Sequence, residues 1–193
     1  MNFLAHFDLA GSSEGNIVGA LLGDFIKGEL RHSDLPTNIK AGVHLHRQID
    51  AYTDQHIDLI ALGRQLPDQL QRYKGVLTDL FFDYALCNCW HQFNDCDLTS
   101  YNEQILAVLD KHARHLNPAA TDFVQRLRRY DLLCRYGNRD VINNVTDHIG
   151  RRLGREADLH RARDCMWQLE KEWLQAFQRI YPEIRHFAAS NRR

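Results

Sequence analysis

Histidine and aspartate recur at helical spacing in this chain, inside stretches that are otherwise apolar. In "GVHLHRQIDAYTD", residues 42–54, His46, Asp50 and Asp54 stand four residues apart. On a helix they share one face with Thr53, and Val43 and Ile57 extend that stripe in both directions. A stripe of this kind turns toward the interior. His44 lies about 200° round the helix from His46. Two chemistries fit the segment. It is either a hydrogen-bonded helix with His–Asp pairs, or a face that offers imidazole nitrogens and carboxylate oxygens to a metal ion.

The segment "GVLTDLFFDYALCNCW", residues 75–90, is apolar nearly all round, the pattern of a buried helix. It nevertheless carries Asp79 and Asp83, four residues apart. An unpaired ionised carboxylate in such surroundings costs many kcal/mol unless it is neutralised or paired. A cationic partner is therefore expected beside them: an arginine, a histidine or a metal. In "GNIVGALLGDFIKG", Asp24 is the sole charged residue between Glu14 and Lys27. Gly15, Gly19 and Gly23 recur every four residues there, a stripe along which a second helix can approach closely. His6, in "MNFLAHF", sits among apolar neighbours and gains meaning only beside the others.

Taken together, His6, Asp24, His44 or His46, Asp50, Asp79 and Asp83 form a set of imidazoles and carboxylates embedded in apolar helices. Hard oxygen and imidazole ligands suit Mn²⁺, Mg²⁺ or Fe²⁺. A divalent ion in such a setting polarises a phosphoryl oxygen and acidifies water, which points to hydrolysis of a phosphate ester. The five cysteines are odd in number and none shows C-x-x-C spacing, so neither a thiolate zinc site nor a disulfide framework is indicated. Reduced thiols in a cytoplasmic protein are the simplest expectation.

These residues must be carried by helices. Apolar residues recur every three to four positions in "DLTSYNEQILAVL", "TDFVQRLRRYDLLCRY" and "ARDCMWQLEKEWLQAFQRIYPEI", and no alternation of period two is found. The expected fold is all-α: a single-domain bundle, residues 1–193, of seven or eight helices. They are placed at about 13–28, 37–63, 66–93, 99–115, 118–136, 139–153 and 158–187, with a short turn at the start. The four prolines fall where helical patterns break or begin, and Asn117-Pro118 reads as a cap and first helical residue. The tail "FAASNRR" is expected to fray. With 193 residues, 44% of them hydrophobic and 25% charged, the chain can bury a real core. No apolar run reaches membrane-spanning length, and no basic leader precedes the first helix.

The net charge of −1 conceals an asymmetry. Residues 1–100 hold 7 Lys/Arg against 13 Asp/Glu, and residues 101–193 hold 17 against 12. The excess peaks in 126–155, where Arg126, Arg128, Arg129, Arg135, Arg139, Arg151, Arg152 and Arg155 face three aspartates. That stretch is a solvated helix face or a surface for an anionic partner. A sequence pI near 6.8 argues against nucleic acid.

The opening "MNFLAH", the segments "GALLGDFIKG", "AGVHLHRQIDAYTD" and "LTDLFFDYALCNCW", and the later "CRYGNRDVINNV" resemble the acyl carrier protein phosphodiesterases. The resemblance covers nearly the whole chain. It implies removal of 4′-phosphopantetheine from the serine of holo acyl carrier protein by a divalent metal, typically Mn²⁺. It also implies an HD-like helical fold, although none of the eleven histidines is followed by aspartate. The positions carried over are His6, Asp24, His44, His46, Arg47, Asp50, Asp79 and Asp83. Expected metal ligands are His6, Asp24, His46 and Asp79. Asp50 or Asp83 would orient them or handle a proton, and Arg47 would clamp the phosphate, with His44 also on the substrate side. Arg128, Arg129 and Arg135 would dock the acidic carrier protein. Two other readings remain: a related phosphohydrolase acting on a small nucleotide or phosphate ester, and a non-enzymatic helical module that binds an acidic protein.

Overall fold

The computed structural model describes residues 2–192. The apolar periodicity folds there into eleven α-helices without a strand. They are α1 (Phe3–Ala10), α2 (Glu14–Phe25), α3 (Thr37–Asp54), α4 (Ile57–Gly63), α5 (Lys74–Asn88), α6 (Leu98–Lys111), α7 (Pro118–Tyr130), α8 (Leu132–Arg135), α9 (Arg139–Leu153), α10 (Glu156–Gln168) and α11 (Glu170–Asn191). Four short 3-10 segments lie in the connections. Among the described residues, no helix is long and apolar enough to cross a membrane.

The all-α expectation holds, with more and shorter helices than the periodicity predicts. The stretch 37–63 breaks at Gln55 and His56, because His56 caps α4 by accepting from the Asp58 amide at 3.3 Å. The stretch 66–93 begins instead as a 3-10 segment, Asp68–Tyr73, before α5 starts at Lys74. The stretch 118–136 breaks at Asp131, which takes a left-handed conformation at φ 48° and accepts from Asn102. The stretch 158–187 divides at Leu169. The opening turn is a full helix, α1. Pro182 lies inside α11 and does not end it. The expected frayed tail is instead helical to Asn191, and Arg192 donates to the Leu9 carbonyl at 3.0 Å.

The glycine stripe does what its spacing suggests. A Cβ on Gly15 would meet Asn38, one on Gly19 would come within 2.3 Å of the Gly42 backbone, and one on Gly23 would strike the His46 ring at 2.2 Å. Every fourth residue of α2 thus registers against every fourth residue of α3, and the backbones touch where both helices carry glycine. This contact brings His46 up against α2. Helix α5 is buried as predicted: Leu77, Leu80, Phe81, Phe82, Ala85 and Leu86 are all in the core. It packs on α11 through Phe82 against Phe177 at 5.1 Å and Phe81 against Trp173 at 5.4 Å. Helix α1 lies among α2, α3, α5 and α11, which puts His6 in the middle of the molecule.

Candidate active site

His6 from α1 and His46 and Asp50 from α3 converge. Their ligating atoms lie within 4.8 Å of one another. His6 Nε2 is 3.0 Å from Asp50 Oδ1, and His46 Nε2 is 3.1 Å from Asp50 Oδ2. The two imidazoles stack at 3.8 Å between centroids, 17° from parallel. Both histidines are buried, whereas the Asp50 side chain is 37% exposed and opens the cluster to solvent. Asp24, at the end of α2, adds an oxygen 4.0 Å from His46 Nε2.

The hydrogen bonding of His46 decides what that ring presents. Its Nδ1 lies 3.0 Å from the Ala20 carbonyl, and a carbonyl can only accept, so Nδ1 carries a proton. Nε2 is then the nitrogen turned toward Asp50 and Asp24. That nitrogen lies 3.1 Å from Asp50 and 4.0 Å from Asp24, where it meets the carboxylates either as an N–H donor or, in the neutral ring, as a lone pair open to a cation. A histidine whose second nitrogen is tied to a backbone carbonyl is the usual arrangement of a metal ligand. His6 is held at a pKa of about 3 by burial and by neighbouring His46, so it is neutral. Its Nδ1 is buried and has no hydrogen-bond partner among the described residues. Burial pushes Asp50 upward, but the bonds to His46 and then His6 outweigh it and hold the carboxylate far below its usual range. Two imidazoles around a carboxylate form a mixed nitrogen and oxygen donor set of the kind that suits Mn²⁺, Mg²⁺ or Fe²⁺. The residues fit the ion.

The remaining predicted residues divide. Asp24 was expected among apolar helices, yet its side chain is 45% exposed. Its pKa is raised all the same, by desolvation against the nearby helices, with His46 opposing. Asp79, on α5, is half-buried. Burial raises its pKa, and the charges of Asp50 and Asp54 add to that. Asp83 is fully buried and lies outside the cluster: its oxygens accept from the Leu4 and Ala5 amides at 3.0 and 2.9 Å. The cationic partner anticipated for Asp83 is thus the positive end of a helix. His44 is exposed on the far side of α3, as the helical angle requires. Arg47 donates to the Ile26 and Gly28 carbonyls, both at 2.9 Å, and so pins the segment that follows Asp24.

The arginines of 126–155 are not equivalent. Arg128 is paired with Asp110 at 2.6 Å and Arg139 with Glu170. Arg126 lies over the Phe123 ring and Arg129 over Tyr130, at 5.6 and 5.5 Å. Arg135, Arg151, Arg152 and Arg155 are exposed. Sequence reasoning missed the Ala20 carbonyl, because a backbone acceptor leaves no mark on residue type. The glycine stripe, which brings that carbonyl against His46, was its one available signal.

The sequence matches the family described as acyl carrier protein phosphodiesterase over residues 1–184. Acyl carrier protein phosphodiesterases of Escherichia coli O157:H7 (strain EC4115 / EHEC) and of Escherichia coli (strain K12 / DH10B) are each 30% identical to it over 193 residues, covering 95% of both chains. No solved structure matches the chain. A match that runs through all four segments of the cluster, and almost from end to end, establishes that this chain belongs to the acyl carrier protein phosphodiesterase family.

Proposed function

We propose that this protein hydrolyses the phosphodiester joining 4′-phosphopantetheine to the serine of holo acyl carrier protein, releasing the apo carrier. A divalent ion, Mn²⁺ in the first place, would be held by His6, His46 and Asp50, with Asp24 and Asp79 completing or balancing the set. Such an ion, when bound, draws electron density from the phosphoryl group and lowers the pKa of water beside it. The observation that carries this reading is the orientation of His46, whose Nε2 is aimed by the Ala20 carbonyl at two carboxylates.

The chain's own residues have distinct parts. Asp50 bridges the two imidazoles and keeps both ring planes in place. Asp24, exposed and raised in pKa, would exchange a proton with the leaving serine if it stands outside the ligand set. Arg47 shapes the approach by holding the carbonyls of Ile26 and Gly28; direct phosphate binding would require it to release them. The exposed Arg129 and Arg135, rather than the paired Arg128, are the groups to steer an acidic carrier protein by charge. The five free cysteines support a reducing compartment, the cytoplasm.

The test is incubation of the metal-stripped protein with holo carrier protein, with and without Mn²⁺, followed by mass spectrometry. Loss of phosphopantetheine only in the presence of metal is expected. An intact holo carrier in both arms, with the fold preserved, would refute the proposal.

A further inference from the structure

Helix α1 brings one residue to the cluster, His6, yet it has only eight residues and no cap of its own. Asn2 stands at the N-cap position without a side-chain bond to the first turn. The first-turn amides of any helix lack partners within it, so a buried helix start needs an acceptor from elsewhere. Here that acceptor is Asp83, from the middle of α5. Its two oxygens take the Leu4 and Ala5 amides at 3.0 and 2.9 Å, 79 and 78 residues away in sequence. His6 follows Ala5 directly.

The opposite end of α1 is held by cations and hydroxyls from α11 and beyond. Tyr181 donates to Asp8 at 2.7 Å, Arg185 lies 3.7 Å from the same carboxylate, and Arg192 donates to the Leu9 carbonyl. A carboxylate at the N-terminus and guanidinium groups at the C-terminus both complement the helix dipole. The helix is thereby fixed along its axis as well as across it. Axial position is what matters for His6, because its Nε2 must meet Asp50 on a different helix.

We propose that Asp83 is a positioning residue, which sets the height of α1 through the Leu4 and Ala5 amides and so holds His6 in register with Asp50 and His46. This rests on the metal reading only for its effect on activity. The clamp itself is independent of any ion. Asp83 is fully buried, and burial pushes its pKa up to about 7 while the two amides pull it down.

Two measurements test it. In the wild-type chain, amide hydrogen exchange at Leu4 and Ala5 is expected to be as slow as in the interior of α1, although first-turn amides ordinarily exchange freely. Free exchange at both would overturn the proposal, whatever becomes of any variant. The Asp83→Asn variant keeps the shape and loses one acceptor. It is expected to shift the His6 imidazole resonances in metal-free protein and to weaken Mn²⁺ binding at least tenfold, in the range found when groups that orient metal ligands are changed. Adding Asn2→Asp supplies a local cap for the same amides and should restore part of both readouts. Met166→Ala, a core change in α10, should lower the melting temperature without moving the His6 resonances. Wild-type resonances and affinity in a folded Asp83→Asn protein would overturn the proposal. If wild-type protein binds no Mn²⁺, the metal reading fails, and exchange together with the His6 resonances still decides the role of Asp83.

Discussion

Gly23→Ala is the most economical probe of the site, because the atoms nearest the added methyl are all in the His46 ring. A Cβ there would sit 2.2 Å from His46 Cδ2 and Cγ and 2.6 Å from Nδ1. Ordinary contact begins at 3.4 Å, so the ring must retreat by about 1.2 Å. It has little room to do so. His6 is stacked behind it at 3.8 Å, and the Nδ1 bond to Ala20 is already 3.0 Å long. Alanine improves helix propensity by roughly 0.5–1 kcal/mol. Overpacking costs about 1–3 kcal/mol and the lost hydrogen bond about 1 kcal/mol more, so the clash wins. Metal geometry tolerates only about 0.2 Å, far less than the required displacement. The expected result is a lower melting temperature and a loss of Mn²⁺ affinity of tenfold or more by calorimetric titration. Gly75→Ala is the control: Gly75 lies in α5 with nothing within 4 Å of the added methyl, and both quantities should be unchanged or slightly improved. Unaltered Mn²⁺ affinity in Gly23→Ala would show that His46 is not a ligand.

Gly19→Ala forces a methyl into the Gly42 backbone, which cannot turn aside as a side chain can, so it should destabilise by about 3 kcal/mol or more in urea titration. Asp50→Ala removes the group between the two imidazoles and should abolish Mn²⁺ binding in calorimetry while the circular dichroism of the fold persists. The shifts of His6 and Asp83 act on stability in opposite senses as pH changes, and the raised Asp24 and Asp79 act in the same sense as Asp83. The folded pKa of His6 is about 3 against 6.5, so its contribution is full above pH 6.5 and falls away as pH drops toward 3. Asp83, raised from 3.8 to about 7, stabilises at low pH and loses that contribution as pH rises through 7. From pH 4 to 6.5 the urea midpoint of metal-free wild type should therefore fall less steeply than that of a His6→Gln variant, which lacks the opposing contribution of His6; parallel curves would refute the assignment. Reversing the charges of Arg129 and Arg135 should lower kcat/KM for a carrier-protein substrate in a salt-dependent way. An unaffected kcat/KM would favour a small phosphate ester as substrate.

The periodicity of apolar residues was enough to announce an all-helical chain, because burying one face of a helix leaves a local, repeating mark. The i, i+4 spacing of His46 and Asp50 was legible for the same reason, and so was the separation of His44 from both. The glycines at 15, 19 and 23 foretold a close helix pair, since only glycine leaves space for a backbone to touch another. Helix ends were less legible: the breaks at His56, Asp131 and Leu169 depend on caps and turns whose side chains are as common inside helices as beyond them. The roles of the aspartates were not legible at all. Asp24, Asp79 and Asp83 look alike as acids in apolar stretches, yet one is exposed at a helix end, one is half-buried on α5 and one is sealed against the amides of α1. A carboxylate's role follows from what stands within about 3 Å of it, and those neighbours come from helices up to 79 residues distant, a distance no local pattern encodes.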